Sequence, residues 1–217
     1  MIKRWAGTTK PTACAMSQPP KHSLRWVVID PELVTQALVE HAISSDTVDL
    51  RADGYGFGHT LVADLARSLG LQVGEGDSRW AERAHQLGAH RLNTEIINLK
   101  RVPAASTVSY GGHYQTSSET TLALCALGFA DGVPRLNPVG GEVSVGGKRF
   151  PIAGRIAMDQ LIVDVGEAKL QLGETVIVWG DAVALSEWAR WSSRSEVAIA
   201  SALSPRVSRF IEAGDHG

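Results

Sequence analysis

The sequence predicts an α/β segment followed by a mostly antiparallel β domain, the first part being an incomplete β/α barrel of two units. Three observations carry this. Residues 24–88 alternate strand, helix, strand and helix, with glycines at the joints, which is the grammar of a parallel β/α barrel. From about Thr107 the chain changes to short alternating strands separated by Gly-rich turns, the pattern of a compact antiparallel domain. The 217 residues and 44% hydrophobic content suffice for one large domain or two small ones with a packed core.

Each element has a local reason. Leu24–Asp30 is rich in β-branched and aromatic residues and reads as a strand. Asp30 can cap, and Pro31 can open, a helix on which Leu33, Ala37, Leu38 and Ala42 recur at helical spacing. Thr47–Ala52 reads as a second strand, ending in a turn marked by Gly54, Gly56 and Gly58. A helix is expected over Thr60–Leu69, stopped by Gly70. Leu71–Gly74 is a short strand, and Asp77 or Ser78 caps a helix to Leu87. Residues 88–94 read as the end of this second unit. In the second half, strands are expected over 122–127, 142–145, 148–152, 160–165 and 174–179, with a late helix from Ser186, its cap, to Arg190. Met1–Ser23 is basic, carries three prolines and lacks an apolar core, so it reads as a disordered leader. The domains are then 1–23, 24–97 and 98–217, with strand 24–30 packing on the β domain.

The totals exclude several classes. Lys+Arg 21 against Asp+Glu 23 leaves a charge of −2 and no basic run, which argues against nucleic acid as partner. No apolar stretch approaches the roughly 18 residues of a membrane span. Cys14 and Cys125 lie far apart in no metal-like spacing, and a reduced cytoplasmic protein is the expectation.

Four ordered blocks and a Gly-rich turn carry a resemblance. They are Leu50-Arg51-Ala52-Asp53-Gly54-Tyr55-Gly56-Phe57-Gly58, Val108-Ser109-Tyr110-Gly111, Gly128-Phe129-Ala130-Asp131-Gly132-Val133-Pro134-Arg135, Gly154-Arg155-Ile156-Ala157-Met158-Asp159-Gln160 and Ser204-Pro205-Arg206-Val207-Ser208-Arg209. The sequence resembles the alanine racemase family over residues 24–90 and 98–212. The resemblance implies a barrel that binds pyridoxal phosphate (PLP), a C-terminal β domain, and interconversion of L- and D-alanine for peptidoglycan supply. It implies Tyr110 as the second acid/base, Tyr55 as a phosphate contact, and Met158 and Asp159 beside the substrate. It also implies a head-to-tail dimer in which the catalytic Tyr serves the partner's site.

The departures matter as much. Arg51 stands where the family carries the lysine that binds PLP covalently. A guanidinium stays protonated, with pKa above about 12, and offers no amine lone pair. Phe129 replaces a tyrosine, and Val197 stands where a further phosphate-binding tyrosine is expected. Five or six β/α units are missing between about residues 94 and 97, and two units cannot close a barrel. The expectation is a racemase-like chain that is impaired or inactive alone, with a non-catalytic partner of a full-length racemase and a decaying remnant as alternatives. His59 reads as a solvated turn residue, and Glu75, Glu82, Asp131 and Asp164 as surface or capping carboxylates.

Overall fold

The computed structural model describes residues 23–136 and 140–212. The expected leader, apart from Ser23, and Cys14 lie outside the described residues.

The α/β part opens with strand β1 (Arg25–Ile29) and helix α1 (Pro31–His41). Asp30 caps α1, its carboxylate accepting from the backbone N–H groups of Glu32 and Leu33 at 2.9 and 3.1 Å. The acid satisfies two of the helix's orphan donors, and Pro31 has none to waste. Strands β2 (Thr47–Val48) and β3 (Gln72–Val73) pair in parallel, with helical turn α2 (Arg51–Tyr55) and helix α3 (His59–Ser68) between them. Helix α4 (Arg79–Gln86) follows, with the Asp77 carboxylate accepting from Arg79 N–H at 2.8 Å. The strand β2 is shorter than the expected 47–52 because the chain leaves extended geometry at Leu50 and turns.

The remaining strands are β4 (His90–Val102), β5 (Thr107–Val108), β6 (Tyr114–Gln115), β7 (Thr120–Cys125), β8 (Glu142–Val145), β9 (Lys148–Pro151), β10 (Leu161–Gly166), β11 (Thr175–Trp179) and β12 (Ser208–Ile211). Helices α5 (Leu185–Ser192) and α6 (Glu196–Ser201) precede β12. Six strands run in the order β10-β7-β4-β11-β8-β9, all antiparallel. An antiparallel bridge between Ile152 and Val163 joins the two ends, so these strands wrap into a closed barrel-like turn. The strand β1 adds antiparallel to β4 and parallel to β12.

Two expectations need correction. Residues 90–94 are not the tail of a barrel unit: they pair with β1 and β11 as the first part of β4. The expected boundary between residues 97 and 98 therefore falls inside one strand, which passes from β1 and β11 to β7 without a break. Ser186 is not the α5 cap either. The helix starts at Leu185, and the Glu187 carboxylate accepts from Ala184 N–H at 3.2 Å.

The core runs through both parts. Val27, Ile29, Leu38, Val62, Trp80, Leu92, Ile96, Val163, Trp179, Trp188 and Ile199 are all fully buried in one continuous cluster.

Candidate functional site

The Gly-rich turn places Arg51 and Tyr55 around one buried acid. Asp49 is 1% exposed. Its Oδ2 accepts from Arg51 Nε at 2.7 Å and from the Tyr55 hydroxyl at 2.8 Å, and its Oδ1 accepts from Arg51 N–H at 2.9 Å. A further Arg51 nitrogen closes an ion pair on the same oxygen. Burial works to raise the Asp49 pKa, and the bonds from Arg51 and Tyr55 outweigh it, leaving the carboxyl below its ordinary range. The same contact holds the Arg51 guanidinium above its ordinary range. Burial, then the Asp49 carboxylate, pushes the Tyr55 phenol up. Asp49 was not foreseen, because the turn at Leu50 that brings Arg51 back onto it is not visible in the sequence.

Residues 52–55 all take left-handed backbone angles, with φ of 51°, 54°, 61° and 53°. For the three that are not glycine this costs about 1–2 kcal/mol each. Side chains fix the turn: Asp53 accepts from His59 N–H at 2.9 Å and pairs with Arg209 at 3.2 Å. Gly56 sits against α6, where an added Cβ would lie 2.7 Å from the Ala200 carbonyl oxygen. Val197, on the same helix, packs half-buried against the core. His59 is exposed, as expected.

Tyr110, Met158 and Asp159 gather elsewhere. Tyr110, half exposed, lies in the turn between β5 and β6, with the Arg155 guanidinium 5.8 Å from its ring. Ser109 donates to the Arg155 carbonyl at 2.9 Å, and Gly154 lets the two loops meet, since its Cβ would lie 2.7 Å from that of Ser109. Met158 and Phe129 are also exposed, and Arg135 lies 4.6 Å over the Phe129 ring. The Met158 carbonyl accepts from Ala130 N–H at 2.7 Å, and Asp159 pairs with Arg206 at 2.7 Å. No hydrogen bond or ion pair among the described residues joins Arg51 or Tyr55 to this second group.

Asp131 has the capping role that is one of its two expected readings, accepting from Gly128 N–H at the start of the turn over residues 129–131, but not the surface position that is the other. Asp131 is fully buried. It accepts from Arg25 through both oxygens at 2.7 and 2.8 Å, from Gly128 N–H at 2.8 Å, and faces Arg206 at 3.3 Å. Asp164 is likewise an internal acceptor, for the Tyr114 hydroxyl at 2.7 Å and for Thr120. Glu75 and Glu82 are exposed as expected.

Residues 89–211 match the family described as alanine racemase, C-terminal domain. An alanine racemase of Beutenbergia cavernae is 39% identical over 134 residues, covering 58% of this chain and 35% of that protein. One of Streptomyces coelicolor is 40% identical over 122 residues, covering 54% and 31%. This chain thus spans about a third of the length of the curated relatives it matches. Among solved structures, an alanine racemase of Bartonella henselae with covalently bound pyridoxal phosphate superposes with a TM-score of 0.73. The identity is 13%, and the match covers 87% of this chain and 99% of that one.

Proposed function

Because the match over 89–211 takes in more than half of its residues, the chain belongs to the alanine racemase family, and we propose that it is a member that has lost the family's catalysis as a chain on its own. The observation that carries this is the Asp49–Arg51–Tyr55 triad. The residues present do not fit PLP. Arg51 has no amine to bond the cofactor, and its guanidinium is committed to Asp49. The Tyr55 hydroxyl, expected at a phosphate, donates to the same carboxylate. Val197 brings no hydroxyl. Tyr110 then has no cofactor-bound substrate to act on within its own chain. We read the setting as cytoplasmic, with Cys125 a buried free thiol.

The test is racemisation of L-alanine by the purified chain with added PLP, read as D-alanine formed. The expected result is no turnover above the protein-free control. Turnover within about tenfold of a full-length racemase, which is about 1.4 kcal/mol of barrier, would overturn the reading.

A second reading is favoured by the exposure of Tyr110 and Met158. A chain that keeps this face but has lost its own lysine is suited to complete the site of a full-length racemase in a heterodimer. Co-expression with a full-length racemase whose catalytic Tyr is changed to Phe tests it. Activity that returns and then vanishes with Tyr110→Phe supports the heterodimer; recovery indifferent to Tyr110, or no complex, ends it.

A further inference from the structure

The joint between the α1–α4 unit and the sheet is built around two buried histidines. His85 of α4 is 4% exposed and His90 of β4 is 2% exposed, with ring centroids 5.4 Å apart. Phe57 of the Gly-rich turn stacks on His85 at 4.4 Å and meets His90 edge-on at 5.5 Å. Trp179 of β11 covers His90 from another side at 6.2 Å.

The hydrogen bonds fix both tautomers. The Trp179 indole N–H donates to His90 Nδ1 at 3.2 Å. Since an indole can only donate, His90 Nδ1 is bare and its proton sits on Nε2. His85 Nε2 lies 3.2 Å from the Tyr55 carbonyl, which can only accept, so that nitrogen carries the proton and His85 Nδ1 is bare. Neither His85 Nδ1 nor His90 Nε2 has a partner among the described residues.

A second proton has no good place on either ring. On His90 it would set an N–H against the Trp179 N–H. On His85 it would set an N–H with no acceptor beside Phe57. The charges that face the pair do not help. His90 faces His85 from α4 and Arg209 from β12, both of which oppose a positive ring. Asp53 of the Gly-rich turn is already committed to Arg209 and to His59 N–H. Burial lowers the His85 pKa to about 4, and burial, then His85 and Arg209, lowers that of His90 well below its ordinary value.

We propose that His85 and His90 form an acid-operated latch, whose protonation releases the α1–α4 unit from the sheet before the sheet itself unfolds. In the released state each imidazole titrates near about 6.5. The closed joint therefore keeps its full stability above that pH and loses it as pH falls toward the lowered values of the closed state. For two such sites the opening equilibrium grows on the order of several hundred-fold from pH 7 to pH 5, and for one site about 25-fold.

Native-state hydrogen exchange of the full chain at pH 7 and pH 5, corrected for intrinsic rates, tests this. Protection of the α4 amides should fall several hundred-fold while that of β7 falls much less. In His85→Phe, which keeps a ring against Phe57 and cannot take a proton, the fall at α4 should shrink to about 25-fold. Equal loss in α4 and β7, or a fall unchanged by His85→Phe, would overturn the latch. If that variant does not fold, imidazole NMR of the unaltered chain decides: both rings should remain neutral in the folded protein at pH 5, and titration of either near 6.5 would refute the proposal.

Discussion

Replacing Asp131 by alanine should destabilise the fold by about 3–5 kcal/mol, the cost of breaking one side of a buried ion pair. The acid is fully buried and Arg25 only 18% exposed, so the guanidinium would lose its bidentate partner with little water to replace it. The Gly128 N–H would lose its acceptor as well. The loss falls on a junction: Arg25 is on β1, and Arg206 lies just before β12, the strand parallel to β1. Against a typical total stability of about 5–15 kcal/mol, the chain would give up at least about a fifth of it. Urea unfolding measures it as a lower midpoint at unchanged slope. A shift below about 1 kcal/mol would mean that the pair is a solvated contact and not an internal one.

Trp188→Ala should cost a similar amount, about 3–5 kcal/mol, for a different reason. Trp188 is fully buried on α5, with its ring 5.7 Å from that of Trp179 and 6.0 Å from that of Trp191. Its indole N–H donates to the Val178 carbonyl at 2.7 Å. Alanine leaves a cavity where α5 seats on β11, whereas Trp188→Phe keeps most of the apolar volume and loses the hydrogen bond, about 1 kcal/mol. Denaturation midpoints should rank the unaltered chain above Phe and Phe above Ala. Equal losses in the two variants would show that the hydrogen bond, not the ring volume, holds α5.

What the sequence revealed is what is local. Asp30 and Pro31 announce α1 because a cap and a first-turn proline act within three residues. The strands β8, β9, β10 and β11 are legible because alternation and glycine turns bound each of them. The long strand β4 was not legible, because its first half is set by pairing with β1, some 65 residues earlier, and its second half by β7. Neither partner leaves a mark on residues 90–102. The strand β12 escaped for the same reason, being four residues long and held by a parallel neighbour far away in the chain. At the candidate site, Arg51, Tyr55 and Tyr110 stand out through their motifs. Asp49 and Arg209, which hold the turn, do not, because their importance lies in burial and in contacts across the chain. Asp131 sits inside a motif, yet its burial under Arg25 could not be read from its neighbours.

Covalent capture measures most directly whether this chain can hold PLP. The purified chain should be mixed with PLP, scanned for absorbance near the visible edge, reduced with borohydride and mapped by peptide mass. The prediction is no new band and no label beyond scattered substoichiometric modification of lysines such as Lys100, Lys148 and Lys169, which lie outside the Gly-rich turn. One stoichiometric adduct at a single residue, accompanied by a visible-edge band, would contradict the claim that the Asp49–Arg51–Tyr55 triad has replaced the cofactor's anchorage.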